Sequence, residues 1–159
     1  MLATNTVLDD GMLYFDARVS RRHPTVEIRV ADVCLDPDDA VLLAALARAL
    51  VETAAREWHA DLAPDPVRTE VLRLAGWRAA RSGLDGDLVD PTTWTPAPAA
   101  TVLGILLDHV ADVLEDDGEL HVVRELTDQV LRRGTGAARQ RAVLRRTGEH
   151  RAVVTDAVW

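Results

Sequence analysis

Two short alternating runs near its start limit what this 159-residue chain can build. Leu13-Tyr14-Phe15-Asp16-Ala17-Arg18-Val19 places Leu13, Phe15, Ala17 and Val19 on one side, and Thr25-Val26-Glu27-Ile28-Arg29-Val30 does the same with Val26, Ile28 and Val30. A period of two is the strand signature. The connection Ser20-Arg21-Arg22-His23-Pro24 has hairpin length, and Pro24 suits the end of a loop. A lone two-stranded hairpin is barely stable in water. Helices can cover its apolar face, but its other face and both edges still need neighbours. The pattern therefore predicts the end of a larger sheet. The remaining strands come from another chain or from a segment outside this one, so self-association or a partner chain that completes the sheet is expected.

From Asp36 the period becomes helical. Asp36-Pro37-Asp38-Asp39 joins an Asp N-cap, Pro at the first helical position and acids at the positive end of the dipole. The stripe Leu43, Leu46, Ala47, Leu50, Val51, Ala54, Trp58 follows at helical spacing and is expected to take the hairpin's apolar face. Asp65-Pro66 repeats the start signal for a second helix with the stripe Val67, Val71, Leu74, Ala75, closing near Gly83. A third helix carries Leu103, Leu106, Leu107, Val110 and Leu114 and stops near Gly118; a fourth carries Leu120, Val123, Leu126 and Val130 and stops at Gly134. A fifth runs from Thr135 to near Gly148, and a short segment leads to Trp159. Between the second and third helices, Gly83 to Pro98 reads as a long loop, the kind that is functional or forms an interface. The expected class is α+β: a hairpin segment of a catalytic sheet over residues 1–35, then one compact helical region of five to six helices over 36–159.

Composition excludes several chemistries. All 18 basic residues are Arg, which removes a Lys Schiff base and the Lys of a phosphate-binding P-loop. The single Cys34 removes an intramolecular disulfide and a cysteine zinc cluster. The five His show no metal-ligand spacing. A net charge of −8 argues against a nucleic-acid partner. No signal peptide is visible at Met1, and the most apolar run, Ala40 to Val51, is too short for a bilayer and contains Arg48. A cytoplasmic protein with no membrane partner is the expectation. Positive charge gathers in Arg132–Arg151, where seven Arg face one Glu for a net +6, against −14 from eleven Arg and twenty-five acids elsewhere. Pairing with acidic helices, for example at Asp108, Asp112, Glu115 and Asp116, accounts for it; a salt-sensitive anion surface is the sharper alternative. Within that segment, Gly134-Thr135-Gly136 reads as a C-cap followed by an N-cap, or as a phosphate-binding helix start aided by Arg139.

The polar face of the hairpin is the candidate site. With a loop from Arg21 to Pro24, Arg18 lies opposite Glu27 and Asp16 opposite Arg29. Cross-strand ion pairs of about 0.2–1 kcal/mol explain such a face. A sheet floor for a metal-nucleotide is the sharper alternative: Glu27 would hold Mg²⁺, and Arg29, two residues on, would hold phosphate. Arg78 and Arg81, three apart on the second helix, reach the site mouth or brace the long loop.

Four ordered motifs bear on that choice: Gly11-Met12-Leu13-Tyr14-Phe15-Asp16-Ala17-Arg18, Pro24-Thr25-Val26-Glu27-Ile28-Arg29-Val30-Ala31-Asp32, Gly76-Trp77-Arg78-Ala79-Ala80-Arg81-Ser82-Gly83-Leu84-Asp85-Gly86 and Gly134-Thr135-Gly136-Ala137-Ala138-Arg139-Gln140-Arg141. Together they resemble the carboxylate–amine ligases, the type 2 glutamate–cysteine ligases of the glutamine-synthetase-like superfamily, in their C-terminal part. The resemblance implies an ATP- and Mg²⁺-dependent enzyme that phosphorylates the carboxylate of a glutamate-like acid and lets an amine such as cysteine displace phosphate to form an amide. It implies a funnel floored by an antiparallel sheet, Glu27 as Mg²⁺ ligand and Arg29 as clamp on phosphate or acyl phosphate. It implies Arg18 for substrate carboxylate or phosphate, and Asp32 to orient Arg29 or cap a turn. One carboxylate is too few for Mg²⁺–ATP, which takes octahedral oxygen ligands. The chemistry is therefore expected of the complete enzyme. The alternative is a non-catalytic truncated homologue that serves as an oligomerisation or partner-binding module.

Overall fold

The computed structural model describes residues 16–20 and 22–158. They fall into two compact units, one ending at Cys34 and one beginning at Leu35. The first holds the antiparallel hairpin β1 (Ala17–Val19) and β2 (Val26–Ile28), in the register Ala17↔Ile28, Arg18↔Glu27, Val19↔Val26. The Arg29 amide donates to the Asp16 carbonyl at 2.8 Å and extends that ladder by one pair. The alternation expected at Leu13, Tyr14 and Phe15 lies outside the described residues. Val19, Ile28 and Val30 are 75%, 44% and 63% exposed.

The second unit is helical: α1 (Pro37–His59), α2 (Thr69–Ser82), α3 (Ala99–His109), α4 (Ala111–Asp116), α5 (Leu120–Arg133), α6 (Gly136–Thr147) and α7 (His150–Val158). The class is α+β, as the pattern indicates. The expected third helix is α3 and α4, which meet at Val110; the bonds Val110 N to Leu106 O and Leu114 N to Val110 O carry the helical pattern across. Taken as one kinked helix, they make six helices.

Helix boundaries follow local chemistry. Asp36 caps α1 by accepting from the Asp38 amide at 3.0 Å, with Pro37 at the first position. Gly118, at φ +71, closes α4: its amide reaches Glu115 O while the Glu119 amide reaches Leu114 O, a left-handed cap. The Asp65-Pro66 start signal is not used. α2 begins at Thr69 behind Arg68, which makes no side-chain cap bond, and Asp65 instead accepts the Val67 amide in an extended entry. The restriction that Pro66 places on Asp65 supports that extended path as well as it supports a cap.

The core sits where α1, α4 and α5 meet. Leu114, Val110 and Val123 are fully buried, joined by Leu42, Ala49, Val113 and Leu126. Each such Leu or Val contributes about 1.5–3 kcal/mol by leaving water. Of the stripes expected on the third and fourth helices, Val110, Leu114, Val123 and Leu126 are buried in this core, with Leu107, Leu120 and Val130 partly buried against it; α1 turns Leu42, Leu46, Ala49 and Thr53 toward it, whereas Leu43, Leu50, Val51 and Trp58 are exposed. α1 is apolar on two sides, and this core takes only one of them. Leu74 on α2 is also exposed.

The segment expected as a loop contains a second hairpin, β3 (Asp87–Val89) with β4 (Pro96–Pro98), paired Asp87↔Pro98 and Val89↔Pro96. Two prolines hid it; they fit because a strand in a two-stranded hairpin has a free edge that needs no N–H.

Candidate functional site

The hairpin brings Arg18 and Glu27 together as the sequence register requires. Arg18 Nε donates to Glu27 Oε2 at 2.8 Å, with the Arg side chain 25% and the Glu side chain 42% exposed. The hydrogen bond from Arg18 is the main cause that holds the Glu27 carboxyl below its usual pKa; desolvation opposes it, and the positive charges of Arg18 and Arg29 add to it. Arg29 thus shares the electrostatic neighbourhood of Glu27 and, one register step beyond β2, stands opposite Asp16. Asp32 lends its carbonyl to the Cys34 thiol, whose Sγ lies 4.0 Å away.

This arrangement presents the Glu27 carboxylate bonded to one guanidinium and within the electrostatic reach of a second. Such a face can take a share of a hard cation through Glu27 and can neutralise phosphate or carboxylate through Arg. Among the described residues no group of three or more His, Cys, Asp or Glu is placed to hold a metal ion. Glu27 fits as one ligand of a Mg²⁺ site, not as the whole of it.

In the second unit three arginines of the basic segment form ion pairs. Arg133 bonds Asp39 at 2.7 Å and lies 3.1 Å from Asp36, Arg139 bonds Asp156 at 2.6 Å, and Arg141 reaches Asp85 at 3.2 Å. The acids named from the sequence are not its partners: Asp116 pairs with Arg56 and Asp108 with Arg124. Proximity along the fold, not the size of the charge block, decides the pairing. Gly134 and Thr135 act as caps, the Thr135 hydroxyl accepting from the Ala138 amide at 3.3 Å. Arg78 braces the former loop by donating to the Asp87 carbonyl at 2.8 Å.

Sequence reasoning missed an open apolar groove of about 1020 Å³ between the entry to α2, the β3–β4 turn and α3, lined by Val67, Val71, Val89, Trp94, Val102 and His109 among others. Its turn is well fixed. Asp90 accepts from the Thr92 amide and hydroxyl at 2.7 and 2.6 Å and from the Thr93 amide at 3.2 Å, bonds that lower its pKa, the Thr92 hydroxyl first. The turn holds Trp94 at φ +58. The visible signal was Asp87-Leu88-Val89 followed by Asp-Pro-Thr-Thr. No helix among the described residues is long and apolar enough to cross a membrane.

Comparison with known proteins agrees with the hairpin motifs. The family model described as glutamate-cysteine ligase family 2 matches residues 1–156. A Streptomyces coelicolor protein named after glutamate–cysteine ligase 2 is 57% identical over 158 residues, which is 99% of this chain and 44% of the relative. A Paenarthrobacter aurescens protein named after glutamate–cysteine ligase 2-3 is 52% identical over 141 residues, 89% of this chain and 33% of the relative. The chain thus spans less than half the length of these relatives. No solved structure matches it.

Proposed function

The chain belongs to glutamate-cysteine ligase family 2, and from that premise we propose that it forms part of an ATP-dependent carboxylate–amine ligase, contributing an edge of the catalytic sheet and the helical region that follows. The reaction is the joining of a glutamate-like carboxylate to an amine such as cysteine, through a carboxylate activated as its acyl phosphate. The supporting observation is the hairpin face, where Glu27 is kept ionised beside Arg18 and Arg29 inside a stretch matched by the family. In the complete site Glu27 would provide one oxygen ligand to Mg²⁺, which would offset the charge of the ATP phosphates. Arg29 would clamp the phosphate or acyl phosphate. Arg18 would hold Glu27 through Oε2 and lend positive charge to a substrate carboxylate or phosphate.

The test restores the rest of the fold. This chain replaces the matched stretch of the Streptomyces coelicolor relative in one polypeptide, and phosphate release is followed with ATP, Mg²⁺, glutamate and cysteine. Dependence of release on both substrates, with a loss of at least about 100-fold in Glu27→Ala and Arg29→Ala, supports the reading. Full activity in Glu27→Ala overturns the site, and a folded but inactive polypeptide overturns the reaction. The exposed apolar residues of α1 favour a second reading, a partner-binding module without chemistry of its own. That reading is the one left standing if the joined polypeptide folds and shows no turnover.

A further inference from the structure

The Gly134–Arg141 motif is distant in sequence from the hairpin, yet its first turn meets the residues that directly follow the hairpin. A Cβ placed on Gly136 would lie 3.1 Å from Leu35 Cγ and 3.2 Å from Leu35 Cδ1, closer than side chains normally pack. The φ of Gly136 is not in the left-handed region, so glycine is needed here for closeness rather than for a turn. Arg133, just ahead of the motif, grips the same stretch. Its Nη1 lies 3.1 Å from Asp36 Oδ2, and its Nη2 lies 2.7 Å from Asp39 Oδ1, with the Asp39 side chain only 16% exposed. The phosphate-binding alternative for this motif loses its side chain: Arg139 is tied to Asp156, Nε to Oδ2 at 2.6 Å and Nη2 to the carbonyl oxygen at 2.8 Å.

Leu35 opens the helical unit, and Leu42 is the first α1 residue in its core. Ahead of Leu42 the helix start would fray, as unsupported helix ends do. An apolar contact at Leu35 and a forked ion pair at Asp36 and Asp39 hold it instead. We propose that Arg133 and Gly136 are positioning residues: they clamp the root from which the chain bearing Glu27 and Arg29 departs. With Leu35 held, the free connection behind Arg29 is the five residues 30–34; with the chain loose back to Leu42 it is the twelve residues 30–41. Ordering a connection of twelve residues rather than five is about 4-fold less probable, because closure scales as the −3/2 power of length. The clamp therefore lowers the entropy lost when Arg29 is brought to substrate. This consequence rests on the proposed roles of Glu27 and Arg29; the clamp itself does not.

The test separates the two. In the 159-residue chain, nitrogen-15 relaxation should give the Leu35 and Asp39 amides order parameters near the rigid value of about 0.85. Arg133→Gln and Gly136→Val should each lower them toward about 0.6 while the amides of α4 and α5 stay rigid. Arg133→Lys keeps the charge but not the fork, and should fall between. In the polypeptide that joins this chain to the unmatched part of the Streptomyces coelicolor relative, Arg133→Gln and Gly136→Val should lower kcat/KM about 4-fold, and Arg133→Lys less. A mobile Leu35 in the wild type, or one that stays rigid in both variants, overturns the clamp. Variants that loosen Leu35 but leave kcat/KM unchanged overturn the positioning role. A wild-type joined polypeptide without turnover refutes the proposed reaction, and the order parameters then decide the clamp alone.

Discussion

Thr53 provides a direct test of the core. It lies on the inward face of α1, 9% exposed, and its hydroxyl oxygen is buried without a hydrogen-bond partner among the described residues. Thr127 on α5 is similarly buried, at 4% exposed, but its hydroxyl donates to the Val123 carbonyl at 2.8 Å. A buried hydroxyl left unpaired costs about 1–3 kcal/mol, whereas a paired one contributes about 1 kcal/mol. Thr53→Val keeps the shape of the side chain, exchanges the hydroxyl for a methyl and changes helix propensity little. It should therefore stabilise the helical unit by about 1–2 kcal/mol. For a unit of this size that is roughly 4 °C in melting temperature per kcal/mol. Thr127→Val removes a made bond and should be neutral or destabilising by up to about 1 kcal/mol. Urea unfolding followed by far-ultraviolet circular dichroism gives both values, with the slope expected to stay constant. If Thr53→Val is no more stable than the wild type, or if Thr127→Val gains as much, the unpaired-hydroxyl argument is wrong.

Leu114→Ala removes the largest fully buried side chain where α4 meets α1 and α5, and should destabilise by about 3–4 kcal/mol in the same urea assay. A loss under about 1 kcal/mol would mean the core relaxes around the gap. The Glu27 carboxyl should titrate below the ordinary value of 4.5 in a carbon-detected nuclear magnetic resonance experiment and move up in Arg18→Gln. Because its folded pKa is depressed, the stability it contributes is complete above the unfolded carboxylate pKa and disappears as pH falls through the folded value. A normal Glu27 titration in the wild type would show that the Arg18 bond is not populated in solution.

What the sequence displays depends on how local the cause is. The N-cap at Asp36, the caps at Gly134 and Thr135, and the register that sets Arg18 against Glu27 each follow from a few neighbouring residues, and each is found where the pattern puts it. The β3–β4 hairpin escaped because proline is read as a strand breaker, although a hairpin edge needs no amide at Pro96 or Pro98. The partners of the arginines escaped because charge counts carry no geometry: Arg133 finds Asp39 ninety-four positions away.

The double apolar stripe on α1 has a different origin. Leu43, Leu50 and Trp58 share one side of the helix and Leu42, Ala49 and Thr53 another, so periodicity is satisfied twice and cannot rank the two. The choice between them is made by α4 and α5: Val110, Leu114 and Val123 complete the core on one side, and Asp116, Asp117 and Glu119 clamp Arg48 and Arg56 on the adjoining one. A surplus apolar stripe costs solubility in a finished domain and is kept only where something covers it. On the hairpin, Glu27 is bonded to Arg18, and no group of three or more His, Cys, Asp or Glu is gathered to hold a metal ion among the described residues.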